Sequence, residues 1–208
     1  MNTTLKKLTT ILQPYKGILY FIFLLFLFHF AWKFAIDGDM DSTQIYLFGK
    51  DITPAWFFTA CRWLTVAAVW FIQLFPDTES LIVSYDMVYS RDIIRFPDTV
   101  NGISIIWGCT GIKQMFIFVG IMICYFGPWK KKLWYIPLGC IILTTYNVIR
   151  VGSISLLTRG IQEWDVFKAE FDSLHDGTFR YIYYSLIFAI WVCWEELIVR
   201  KESKKKAA

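Results

Sequence analysis

Three side chains in this sequence are of the types needed for acyl transfer through a sulfur nucleophile. Cys109 lies in Trp107-Gly108-Cys109-Thr110-Gly111, where glycines on both sides permit a tight turn and close backbone approach. Arg150 ends the run Thr144-Thr145-Tyr146-Asn147-Val148-Ile149, and His175 stands in Leu174-His175-Asp176-Gly177. A thiolate can attack a carbonyl, and an imidazole can take the thiol proton and return one to a leaving amine. A guanidinium can hold the charge that develops on the carbonyl oxygen. Arginine suits that last role because it stays ionised and presents several donors. Asn147 lies three residues before Arg150 on the same helical face, so the two form one polar edge. Each residue also has a plainer reading. An arginine at a helix end can snorkel to the membrane surface, a lone cysteine is often inert filler, and a histidine in a polar loop is often simply solvated.

The elements that must position these residues are membrane helices. The 208 residues are 56% hydrophobic and 19% aromatic with only 18% charged, which excludes disorder and argues against a soluble domain. Mean hydropathy is +0.47. Apolar runs of roughly bilayer-crossing length occur at about 18–36, 55–75, 112–126, 133–157 and 179–199. The expected fold class is therefore an all-α polytopic membrane protein, a single integral membrane domain over 1–208, with about five membrane helices. Between the second and third, Leu81, Val83, Tyr85, Met87 and Tyr89 alternate with more polar neighbours, and Phe96-Pro97-Asp98 and Asn101-Gly102 are turn signals. A short extended, hairpin-like segment on the outer membrane surface is predicted there. The segment 158–178 reads as an outer loop.

Charge placement gives orientation. The formal net charge is +4, and eight of the 21 basic residues sit in two blocks, Lys130, Lys131, Lys132 and Arg200, Lys201, Lys204, Lys205, Lys206. Positive charge beside apolar runs marks cytoplasmic ends, which puts the C-terminus inside and Cys109, Arg150 and His175 together on the outer face. No basic groove with interleaved aromatics suggests nucleic acid. If Lys6, Lys7 and Lys16 hold the N-terminus inside, two full spans return the chain to the cytoplasmic side before Cys109. Either the N-terminus is outside, or the run at 55–75, which carries Arg62, is re-entrant or interfacial. An acidic linker with Asp37, Asp39, Asp41 and Asp51 separates the first two runs. The N-terminal run has no small-residue cleavage site and reads as a retained span.

The remaining polar residues read mostly as structural. Cys61, Cys124, Cys140 and Cys193 sit among apolar neighbours without CxxC spacing, so neither a disulfide framework nor a zinc site follows. His29 faces Lys33 four residues on, and Glu195 and Glu196 are spaced to meet Arg200 or Lys201. No metal or organic cofactor is expected.

At Gly108-Cys109-Thr110-Gly111-Ile112, Asn147-Val148-Ile149-Arg150 and Leu174-His175, the sequence resembles the exosortase/archaeosortase family of membrane-embedded sorting transpeptidases. The resemblance covers about 102–199, an exosortase-like catalytic core. It implies Cys109 as nucleophile, Arg150 as the required arginine and His175 as the third catalytic position, with Asn147 and Gly111 in support. It further implies processing, at the outer face of the cytoplasmic membrane, of exported proteins that carry a C-terminal signal. That signal is a short motif followed by a transmembrane segment and a basic cluster, and the product passes to an acceptor whose identity the resemblance does not supply. Many relatives have about eight spans, so this chain is similar to the compact members. Thr110 stands where Ser or Asn often follows the cysteine. The competing reading is a non-enzymatic membrane adaptor whose polar edge contacts a partner helix. A thiol oxidoreductase would want a second outer cysteine, for which Cys61 is the candidate, and a transporter would want an inverted repeat.

Overall fold

The computed structural model describes residues 15–37, 44–54, 56–78, 80–87 and 90–207. Lys6, Lys7, Asp39, Asp41, Ala55 and Tyr89 lie outside the described residues. All five apolar runs form helices. Helix α1 spans Lys16–Ala35 and is followed by a three-stranded ribbon, β1 Ile36–Asp37, β2 Tyr46–Leu47 and β3 Lys50–Asp51. Phe48 and Gly49 turn that ribbon with φ of 47° and 76°, the left-handed pair that matches strand twist. Helix α2 is Trp56–Ile72, and then come β4 Ile82–Asp86, β5 Arg91–Arg95 and β6 Ile103–Ile105 in a second antiparallel sheet of that order. A 3-10 turn, Trp107–Thr110, leads into α3 Ile112–Cys124 and α4 Trp129–Leu157. The rest is α5 Trp164–Asp172, a π-helical turn Ser173–Thr178, α6 Phe179–Trp194, a second π-helical turn Glu195–Val199 and α7 Arg200–Ala207.

Two expectations change. The segment 158–178 is helical over most of its length, and α5, α6 and the start of α7 form one unbroken helix, Trp164–Lys204, of 41 residues. Phe167 and Phe171, one turn apart, face the protein and give this stretch an apolar stripe that its glycines and acids conceal in the sequence. The predicted hairpin exists, but the strands reverse between Asp86 and Arg91, which pair, with Ser90 at φ of 50°, and Ile82 pairs with Arg95 at its far end. The turn signals at 96–102 instead join β5 to β6. There the Asn101 amide donates to the carbonyls of Ile161 (2.9 Å) and Gln162 (3.0 Å), tying the sheet to the approach to α5.

Packing divides the described residues into a bundle and an end cap. In the bundle, α1 is antiparallel to α6, since Phe21 stacks on Trp191 (ring centroids 4.4 Å) while His29 lies beside Tyr184 (3.4 Å). It is antiparallel to α3 as well, because the Tyr20 hydroxyl donates to the Cys124 carbonyl (3.2 Å) and Trp32 packs on Phe116 (5.3 Å). The beginning of α1 therefore shares one end with Lys130–Lys132 and Arg200. The opposite end carries Cys109. Buried Phe57, Cys61, Leu64, Ala68 and Ile72 of α2 all lie in the end cap, with the second sheet and the last turns of α4. Three helices, α1, α4 and the 41-residue helix, are long and apolar enough to cross a bilayer, whereas α2 and α3 are shorter. Helix α3 runs end to end within the bundle. The buried side chains of α2 pack in the cap, while Trp63, Val66 and Trp70 give it an exposed apolar face.

Several polar residues find different partners from those expected. His29 contacts Tyr184 and lies within electrostatic reach of Lys33. Lys132, taken with the basic block as a surface anchor, is 2% exposed and donates to the Ile123 (2.9 Å) and Tyr125 carbonyls, closing the C-terminal end of α3. Arg62 pairs with buried Asp92 at 3.2 Å. Arg200 meets Glu196 at 2.8 Å, as its spacing predicts.

Candidate active site

The sheet delivers the chain to the bundle through a closed turn. Ile106 is extended, the Cys109 N–H donates to its carbonyl (2.9 Å), and the Thr110 hydroxyl donates to the Trp107 carbonyl (2.6 Å). Gly111 then leaves the turn with φ of 72°. A Cβ at that position would sit 2.8 Å from the Tyr183 hydroxyl and 3.3 Å from Asn147 Cγ, so both conformation and space demand glycine.

Cys109 is 7% exposed, and its thiol donates to the Ser104 carbonyl at 3.7 Å. The Asn147 amide donates to the Cys109 carbonyl at 2.6 Å, and Asn147 Oδ1 accepts from Arg150 Nη1 at 3.4 Å. Asn147 and Arg150 are both buried, and Arg150 Nε has no hydrogen-bond partner among the described residues. A buried cationic donor left unpaired is costly, and it is what a site built to meet a developing negative charge would keep in reserve.

His175 sits in the π-helical turn, with its side chain 19% exposed. Its ring stacks on Phe171, centroids 5.2 Å apart and planes 12° apart. Nδ1 lies 2.8 Å from Asp176 Oδ1, so the neutral ring carries its proton there and keeps Nε2 as the basic nitrogen. Asp176 Oδ1 also accepts from Arg180. Burial, followed by the charge of Arg150, holds the His175 pKa below the ordinary 6.5, and the hydrogen bond and charge of Asp176 oppose that shift.

Cys109 and His175 line one cavity of about 460 Å³, walled by β6 and the Cys109 turn on one side and by α5 and the π-helical turn on the other. Arg91, Lys168 and Trp164 also line it. Arg150 is not on the cavity wall. It reaches the cysteine through Asn147 and acts on His175 electrostatically. The five residues singled out in the sequence thus gather at one end of the bundle, in two linked groups. Sequence reading missed Asp176 and Phe171, although both signals were present: Asp176 adjoins His175, and Phe171 precedes it by one helical turn. Cys61, buried in the same end core as Cys109, remains a free thiol. Among the described residues no cluster of His, Cys, Asp or Glu could hold a metal ion.

Fold and site together define a multi-pass membrane protein with a recessed thiol at one end of its helix bundle. The family model described as Transmembrane exosortase (Exosortase_EpsH) matches residues 53–193, well over half of the chain, and the chain belongs to that family of sortase-like membrane processing proteins. The match covers α2, the second sheet, α3, α4 and most of the last long helix, and α1 lies before it. No curated protein and no solved structure matches the chain.

Proposed function

We propose that this protein is a membrane-embedded cysteine transpeptidase that cuts the C-terminal sorting signals of exported proteins at the outer face of the cytoplasmic membrane. The observation that carries this reading is the shared cavity of Cys109 and His175, with Arg150 linked to the Cys109 backbone through Asn147. The basic blocks at the opposite end of the bundle support a cytoplasmic C-terminus and an outer site. The substrate's membrane-spanning tail docks against the bundle and presents its scissile bond at the cavity. His175 Nε2 takes the Cys109 proton as sulfur attacks the carbonyl carbon. Arg150, held behind the cavity wall against Asn147, stabilises the oxyanion of the tetrahedral intermediate through its charge. The C–N bond breaks, and the leaving amine receives the proton from His175. The acyl group remains on Cys109 as a thioester. An acceptor nucleophile, or water, gives its proton to His175 and attacks that thioester, the C–S bond breaks, and the proton returns to the thiol.

The test compares cells carrying wild-type protein with cells carrying Cys109→Ala at matched abundance, mapping the C-terminal peptides of envelope and secreted proteins by mass spectrometry. A set of proteins should keep hydrophobic, basic-ended tails only in the variant. Unchanged tail removal in the variant would overturn the assignment.

A further inference from the structure

Three basic side chains outside the cavity converge at the same end of the bundle. Lys33 lies one turn beyond His29 on α1, Arg180 lies one turn before Tyr184 on α6, and His29 and Tyr184 are in contact at 3.4 Å. Lys113 lies one turn before Phe116 on α3, and Phe116 packs against Phe28 (5.8 Å) and Trp32 (5.3 Å) of α1. Because α1 runs antiparallel to both partners, one turn toward the Cys109 end from each contact brings the three cations to a common level. They lie within electrostatic reach of one another and of His29. Among the described residues neither Lys33 nor Lys113 makes a hydrogen bond or ion pair, and Lys113 is half-buried. The one acid paired within the cluster, Asp176, is shared between Arg180 and His175.

Like charges gathered at the rim of an apolar bundle repel unless an anion joins them. They also stand at the end away from Lys130–Lys132, so the rule that places positive charge on the cytoplasmic side does not account for them. On the same helix ends Phe30, Phe34 and Tyr181 are exposed, forming an apolar surface suited to acyl chains. A phosphate group supplies several acceptor oxygens to three charged donors on three helices. We propose that Lys33, Lys113 and Arg180 form a binding site for a phosphate group, supplied by a membrane lipid whose chains lie along the exposed face of α1. The inference does not depend on the proposed peptide chemistry.

Native mass spectrometry of the full chain, released from detergent and titrated with short-chain phosphatidylglycerol, tests it. The expected result is one saturable lipid adduct. Its half-saturation rises about tenfold or more in a Lys33→Gln, Lys113→Gln double variant. Binding is kept in Lys33→Arg, Lys113→Arg and in Lys130→Gln, Lys201→Gln, which removes two charges at the opposite end. Monodisperse elution of each variant on size exclusion separates lost binding from lost folding. Equal lipid binding by the Gln double variant overturns the site. Equal binding of the matching diacylglycerol overturns the role of phosphate. Inorganic phosphate that displaces the lipid and saturates the site at the same concentration overturns the lipid source in favour of a soluble phosphorylated ligand.

Discussion

His175 is a base only when its ring is neutral, and its surroundings favour that form. Burial and the Arg150 charge hold its pKa below 6.5, so the ring is already neutral at pH 7, and the proposed cleavage is lost as pH falls through that lowered value. Asp176 pushes the other way. Asp176→Asn removes a charge that favours the imidazolium, so the acid limb of the pH–rate profile should move to lower pH, with a lower plateau because the ring loses its orienting partner. Cleavage of a model sorting peptide by protein in detergent checks this, and a shift to higher pH contradicts it. Arg150→Lys keeps the charge but removes Nε and the planar fork. Processing should fall by about 10² or more with normal protein abundance, because the Nη1 hydrogen bond that braces Asn147 against the Cys109 carbonyl is lost and the nucleophile is misplaced; tail retention in cells measures it.

At the scale of elements, the Cys109 turn is held by what Gly111 lacks. Gly111→Ala combines a left-handed backbone with a methyl group pressed against Tyr183, whose hydroxyl donates to the Leu143 carbonyl at 3.2 Å. The expected loss is about 1–3 kcal/mol, read as a lower thermal midpoint in detergent. Adding Tyr183→Phe removes the nearer clash and should recover part of that loss, while the strain from φ remains. The sequence made this turn legible, because glycines at 108 and 111 around a cysteine mark a backbone that must bend tightly at the start of a helix. It hid the helix that carries His175. Gly160, Gly177 and five acids between residues 160 and 177 look like loop chemistry, and only the tertiary contacts of Phe167 and Phe171 make them helical. The polar edge of Asn147 and Arg150 was readable from spacing alone. That Asn147 would bond to the cysteine's own carbonyl was not, since it depends on how α3 and α4 meet.

For the whole molecule, α1, α3, α4 and the 41-residue helix set Lys16 and Arg200 at one end of the bundle, and α2 has the composition of a span but packs in the cap, a distinction that hydropathy does not contain. The proposed topology, with α2 not crossing, puts both termini on one side. Reporter tags fused at the two termini should therefore be accessible from the same face of inverted vesicles, and a tag inserted at 76–78 from the opposite face. A 76–78 tag on the side of the termini would show that α2 crosses.

Helix α4 also sets a length. Asn147, which holds the Cys109 carbonyl, lies about 18 residues past Trp129, a rise of about 27 Å against roughly 30 Å of bilayer hydrocarbon. The final turns of α4 stand beyond that level and carry the cap. The sulfur is thus mounted on a gauge block whose other face is the basic block at Lys130–Lys132. Under the proposed function, for a substrate tail whose own basic cluster rests at that face, the bond delivered to Cys109 is chosen by distance before any side chain is read. One added helical turn in the tail's apolar stretch would bring a bond about 5.4 Å further along to the same sulfur.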